Sequence, residues 1–275
     1  MLKLYLKYWF YTLMSHIAFS SKNRKKKRIK KKNVHNVIHL VKDIRHKSGK
    51  ETVFVIGDSH TDIFTKNTIE KKKIIWGNGT PEQNLWVNTE NAPDFIAYHV
   101  GPCLAYSTNS RHSSQFFYEK LHFLLDNGFF PNGCRILTVF GEIDCRVHVK
   151  KQAEKQNKTE EEIVDEIIRH YGEFIIKLKN RGYRVTVYAP IASQKETVNI
   201  DPEFPRYGSE IERNSISILF GRKMAEFCQQ GGVRFVSIIN KLLNENITTK
   251  GEYYRDGVHL NLDAFPFIEE IKEKI

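Results

Sequence analysis

Short apolar runs rich in β-branched residues alternate along the chain with longer segments whose apolar positions recur every three or four residues. Val53-Phe54-Val55-Ile56, Ile74-Ile75-Trp76, 135–140, 184–189 and 233–238 have the length and composition of buried strands. The segments 113–125, 159–179, 210–229 and 263–274 read as helices. In 159–179, Ile163, Ile167, Tyr171, Phe174 and Leu178 form one apolar face, and Thr159 with Glu162 makes a capping-box pattern at its start. Gly182 and Gly231-Gly232 supply helix stops. Residues 33–47 read as a helix or linker, 77–93 as loop-rich, and the polar stretch 147–158 as an exposed loop or lid. Strands alternating with helices imply parallel βαβ units, hence an α/β fold with helices on both faces of a mainly parallel sheet. No internal repeat interrupts this, so residues 49–275 are expected to form one domain behind an extension of residues 1–48.

The extension has a pattern of its own. Leu2, Leu6, Trp9, Leu13 and Ile17 fall at helical spacing, with Lys3 and Lys7 interrupting the start. The uncharged stretch 8–21 is too short to cross a membrane comfortably, since a span needs about 20 apolar residues. The strongly basic run Lys22 to Lys32 follows it. A cleavable signal would carry its charge before the apolar part, so none is expected. An apolar segment followed by a polybasic one fits a peripheral anchor on an anionic membrane surface, formed by residues 1–32. The alternative is an ordinary helix packed on the domain, with the basic run as a solvated linker. The net charge of +11, from 43 Lys and Arg against 32 Asp and Glu, owes much to this run. Nucleic acid is not an expected partner, because no binding fold accompanies the charge.

The chemistry-bearing residues gather at strand ends. The first strand runs into Gly57-Asp58-Ser59-His60-Thr61. A serine at a sharp turn after a buried strand is exposed at the carboxyl end of a sheet, where open α/β folds bind ligands. Serine is a poor nucleophile until a base takes its proton, and histidine, with an ordinary pKa of about 6.5, suits that task. Asp256-Gly257-Val258-His259 supplies such a base with a carboxylate close enough to fix its tautomer. Either motif alone is ordinary turn chemistry; it is the pair within one α/β domain that points to nucleophilic catalysis.

These blocks resemble the SGNH (GDSL-like) hydrolase superfamily over residues 50–275. Gly57-Asp58-Ser59 matches its first block and Asp256-Gly257-Val258-His259 its last. The resemblance implies a three-layer α/β/α sandwich with a flavodoxin-like sheet and a triad of Ser59, His259 and Asp256. It also implies an oxyanion hole formed by the backbone N–H groups of Ser59 and of the second-block glycine. Gly101, in His99-Val100-Gly101-Pro102, fits that place by order. The third block, Gly-x-Asn-Asp, reads Gly141-Glu142-Ile143-Asp144 here. Isoleucine replaces the asparagine that would donate to the oxyanion, and losing one such donor typically costs about a hundredfold or more in rate. Gly-Asp-Ser-His-Thr with Gly-Glu-Ile-Asp-Cys-Arg resembles a branch associated with bacterial surface-glycan biosynthesis. The resemblance therefore implies a serine esterase or O-acyltransferase working on acylated carbohydrate. A non-catalytic glycan- or partner-binding module and a lipid esterase are the alternatives.

Asp58, His60, His99, Glu142, Asp144 and Arg146 are candidates for the pocket wall, Asp58 as a cap of the turn and Arg146 as a compensating positive charge. Cys103, Cys134, Cys145 and Cys228 form no Cys-x-x-Cys pair, so a zinc site is not expected. Their scatter through apolar segments fits buried thiols in a reducing, cytoplasmic setting, on the inner face of the membrane if the extension anchors there. No phosphate-binding glycine loop occurs, and no cofactor is expected.

Overall fold

The computed structural model describes residues 2–17, 21–68, 71–74, 85–111, 113–199 and 201–275. Seven strands make one sheet: β1 (Val53–Gly57), β2 (Lys72–Lys73), β3 (Trp86–Asn88), β4 (Phe95–His99), β5 (Arg135–Val139), β6 (Arg184–Tyr188) and β7 (Arg234–Val236). Their order is β2-β3-β4-β1-β5-β6-β7. β4, β1, β5, β6 and β7 run parallel, while β2 and β3 add an antiparallel margin on β4. The expected mainly parallel α/β architecture is what the chain adopts.

Eight α-helices accompany the strands among the described residues: α1 (Leu2–Ile17), α2 (Ser21–Lys47), α3 (Phe117–Asp126), α4 (Val149–Gln156), α5 (Glu160–Asn180), α6 (Glu210–Gln230), α7 (Ile239–Leu242) and α8 (Phe265–Lys272). The period-2 alternation of the central strand sorts them into layers. Phe54 and Ile56 face one core, built with Val41 and Ile44 of α2, Phe117 of α3, Ile167 and Phe174 of α5 and Phe220 of α6. Val53 and Val55 face the other, built with Ile63 and Phe64, Leu242 of α7 and Ile268 and Ile271 of α8. Burying a side chain such as Phe54 or Phe220 fully contributes about 1.5–3 kcal/mol each, so both layers are held mainly by these apolar contacts.

Several elements depart from the pattern reading. The stretch expected as a loop or lid is a π-helical turn, Asp144–His148, running into α4, because Val149 and Ala153 give it a buried edge one turn apart. The basic run is helical from Ser21 and continuous with the segment that packs into the core, since lysine and arginine are good helix formers. Loop-rich 77–93 contains β3, and β4 follows it. The second strand is Lys72–Lys73, with Ile74 buried beyond it. Ile75 and Trp76, expected in that strand, and 77–84 of the loop lie outside the described residues, as do the side chains of Leu2 and Ile17.

Candidate active site

β1 sits at the centre of the sheet, with β2, β3 and β4 on one side and β5, β6 and β7 on the other. The crevice at such a switch point, beyond the carboxyl ends of the strands, is where open α/β sheets place ligands. Ser59 follows β1, Gly101 follows β4 and Gly141 follows β5. The turn after β1 has no room for a side chain at its first residue. A Cβ on Gly57 would lie 2.2 Å from the Val139 carbonyl oxygen of β5, so only glycine lets the strand end this close to its neighbour. Asp58 then caps a 3-10 helix, Ser59–Thr65, by accepting the His60 N–H at 2.9 Å.

The motifs at the two ends of the domain meet here. The Ser59 hydroxyl lies 2.7 Å from His259 Nε2, and His259 Nδ1 lies 2.7 Å from Asp256 Oδ2. Asp256 Oδ1 also accepts the backbone N–H of Val258 at 3.0 Å and of His259 at 2.7 Å. Burial alone would raise the Asp256 carboxyl, but the hydrogen bonds from His259 and Val258 hold it far below the usual carboxylate range. His259 therefore stands on a tight loop closed by Arg255 N–H to the His259 carbonyl at 2.9 Å. That loop is tied to the Ser59 turn by Asn67 Nδ2 donating to the Leu260 carbonyl at 2.9 Å and by Arg255 beside Asp62 at 3.5 Å.

A second histidine stands beside the first. The His60 ring lies 5.2 Å from that of His259. Its Nδ1 donates to Asp58 Oδ1 at 2.8 Å, and its Nε2 is 3.7 Å from Glu142 Oε2. Burial favours the neutral ring, but the Asp58 carboxylate, and after it Glu142, reverse this and raise its pKa to about 9. Asp58, for its part, is raised by burial and lowered by more through His60. His60 thus holds a proton more firmly than a free imidazole does, one residue from Ser59. Asp58, His60, Glu142 and Tyr188 line a cavity of about 10 Å³, the room needed by one water molecule.

The remaining candidates take other positions. Arg146 is engaged by two partners: Nε donates to Glu142 Oε1 at 2.6 Å and Nη1 to the Pro205 carbonyl. Asp144 accepts from the N–H groups of Ala105 at 2.7 Å and Tyr106 at 3.2 Å, which binds the second block to the third. Burial pushes its carboxyl up to about 7 despite those donors. It lines a separate cavity of about 290 Å³ with Tyr106, His148, Gln152 and Glu166 rather than the cleft around Ser59. His99 stacks on Trp86 at 5.2 Å, and burial lowers its pKa to about 4, so it is a neutral packing residue beside β1. Gly101 adopts φ +87°, a conformation that a side-chain-bearing residue would resist. All four cysteines are free and buried, and no metal-ligating cluster occurs among the described residues.

Pattern reading missed several supports. Lys120 of α3 is fully buried, and its ammonium donates to the Val100 carbonyl, which fixes the backbone just before Gly101. Phe204 packs edge-on against His259 at 5.1 Å from the long loop after β6. That loop is pinned by Arg213 to Ser193 Oγ at 3.1 Å and to the Gln194 carbonyl at 2.6 Å, and by Asn214 to the Ser193 N–H at 2.7 Å. No local pattern marks these side chains: α6 carries charged and polar residues along its whole length, and α3 mixes Glu119, Lys120 and His122 with its apolar positions.

No protein-family model matches the sequence, and neither does any curated protein. Solved structures do match the fold. A protein of Bacteroides fragilis, provisionally described as an acylhydrolase, superposes with a TM-score of 0.50 at 14% identity, over 86% of this chain and 94% of its own. One from Streptococcus pneumonia, provisionally described as a platelet activating factor, does so with a TM-score of 0.50 at 12% identity, over 90% and 97%. A GDSL-like lipase from Bacteroides thetaiotaomicron gives 0.49 at 14%, over 87% and 98%. The likeness to the two structures at a TM-score of 0.50 is one of fold, a mainly parallel α/β sheet covered by helices.

Proposed function

We propose that the protein is a serine esterase or O-acyltransferase acting on acylated carbohydrate through an acyl-enzyme. The observation that carries this is the unbroken chain from the Ser59 hydroxyl through His259 to Asp256, at 2.7 Å for each link. In the first half-reaction His259 Nε2 takes the serine proton as Ser59 Oγ bonds to the ester carbonyl carbon. The N–H groups of Ser59 and Gly101 receive the oxyanion. Collapse breaks the bond to the alcohol, which leaves with the proton from His259. In the second half-reaction water or a sugar hydroxyl gives its proton to His259 and attacks the acyl-enzyme, and Ser59 is regenerated. Asp256 holds the ring in the tautomer that both steps need.

Ester chemistry is supported by the geometry and by the fold shared with the protein described as an acylhydrolase. The carbohydrate is supported by the likeness of Gly57 to Thr61 and Gly141 to Arg146 to the glycan-associated branch. Ile143 favours a second reading, a binding module that keeps the fold without turnover, because it offers no side-chain donor to an oxyanion.

Fluorophosphonate labelling separates the two, measured beside hydrolysis of p-nitrophenyl acetate. The wild type is expected to label at Ser59 and turn over, with Ser59→Ala and His259→Ala inactive. A serine that does not label favours the binding module. Labelling with no hydrolysis favours transfer to a sugar acceptor, and a preference for long acyl chains favours a lipid substrate.

A further inference from the structure

α1 is apolar on two sides. Leu4, Tyr5 and Tyr8 face α2 and join the core that contains Val37, Ile38 and Val41. On the other side Leu6, Trp9, Phe10 and Leu13 are 61, 69, 56 and 60% exposed. Their spacing places them in one stripe along the helix. Isolated exposed apolar residues are ordinary, but a contiguous row of large ones marks a surface that meets something.

The neighbouring charge says what. No acidic residue precedes Asp43, and Lys22, Arg24, Lys25, Lys26, Lys27, Arg28, Lys30, Lys31 and Lys32 crowd the start of α2. The two helices run antiparallel. Tyr5 meets Lys42 at 5.7 Å, whereas Tyr8 meets His35 at 5.6 Å and Lys31 at 5.2 Å. The part of α1 beyond Tyr8 therefore runs beside the basic part of α2. An apolar stripe with a polybasic helix alongside complements a hydrocarbon layer edged with negative headgroups. With 16 residues α1 is about 24 Å long, short of the ~30 Å hydrocarbon core, and no described helix is long and apolar enough to cross a membrane.

We infer that α1 and the basic half of α2 form a docking surface for an anionic lipid bilayer, with Leu6, Trp9, Phe10 and Leu13 seated at the boundary between headgroups and acyl chains. The hairpin lies in the plane of the surface. The apolar stripe supplies the insertion and the basic run the attraction to negative lipid. This holds whatever ester the domain acts on.

Vesicle sedimentation with the full chain tests it, using phosphatidylcholine vesicles with and without phosphatidylglycerol. Binding is expected only with the anionic lipid, with a blue shift of tryptophan emission that Trp9→Phe removes. The triple variant Lys25→Glu, Lys26→Glu, Lys27→Glu is expected to weaken binding by on the order of a hundredfold. Trp9→Ser with Phe10→Ser is expected to weaken it by about tenfold or more while the thermal unfolding temperature is kept, since both side chains are exposed. No binding to anionic vesicles, or equal binding by the serine variant, overturns the inference. So does a wild-type dimer that the serine variant dissociates without any vesicle binding, which would make the stripe a contact between copies. Binding to DNA but not to vesicles likewise overturns it.

Discussion

Two aspartate–histidine pairs stand side by side at the carboxyl edge of the sheet, and in one half they are built alike. Asp256 meets His259 Nδ1 at 2.7 Å and Asp58 meets His60 Nδ1 at 2.8 Å. They differ at the other ring nitrogen. His259 Nε2 meets the Ser59 hydroxyl, which has a proton to give, whereas His60 Nε2 faces the Glu142 carboxylate. A ring between a carboxylate and a hydroxyl can take a proton and return it. A ring between two carboxylates keeps its proton, and His60 is accordingly raised to about 9. The same side-chain pair turns its free nitrogen to a hydroxyl in one place and to a second carboxylate in the other, and the third partner makes the difference.

Substitutions that treat the pairs differently sharpen this contrast. Ser59→Ala and His259→Ala are expected to lower kcat for ester hydrolysis by about 10⁴-fold or more, the size of losing a triad member. Asp256→Asn, which permits the wrong tautomer, is expected to cost about 10²–10⁴-fold in the same assay. His60→Gln is expected to cost only about tenfold, as a nearby charge that never transfers a proton, and to leave fluorophosphonate labelling of Ser59 intact. If His60→Gln were as damaging as His259→Ala, the division of labour between the pairs would be wrong.

The next test reads stability instead of rate. His60 has a folded pKa of about 9, above its unfolded value. Its contribution is therefore fully present below about pH 6.5 and is lost as pH rises through about 9. Urea unfolding of the wild type is expected to show stability falling across that window, and His60→Gln should flatten the fall. The smallest effect is expected from Ile143→Asn, a gain in kcat of up to about tenfold if the new amide reaches the oxyanion. An unchanged kcat would mean that the third block here has given up that task altogether.

Local patterns revealed what was local. Gly57-Asp58-Ser59 announced itself because a β-branched run leads straight into a turn that carries a serine. Asp256 and His259 did so because one tight loop holds both. The continuous apolar run Val53 to Ile56, in a chain where strands alternate with helices, was enough to expect a sheet covered on both faces. The supports of the site were hidden because each needs a distant partner. Nothing beside Lys120 in sequence says that it will be buried against the carbonyl of Val100, nor beside Phe204 that it will flank His259. Glu142 and Arg146 were legible as polar residues at a strand end, but not as a buried ion pair. The helix α4 was hidden for another reason, its buried edge being Val149 and Ala153 among lysines and glutamines.

The ties that bind the last block to the first have a consequence for how the molecule comes into being. Ser59 and His259 lie 200 residues apart in sequence, and Asn67 and Leu260 nearly as far. No local stretch of chain contains both residues, so a sheet assembled before the last block docks would carry Ser59 without its hydrogen-bond partner. Contacts this remote are slow to form, because the intervening chain must first be closed. The link from Ser59 to His259 would therefore close late, when the loop that carries His259 settles onto the sheet.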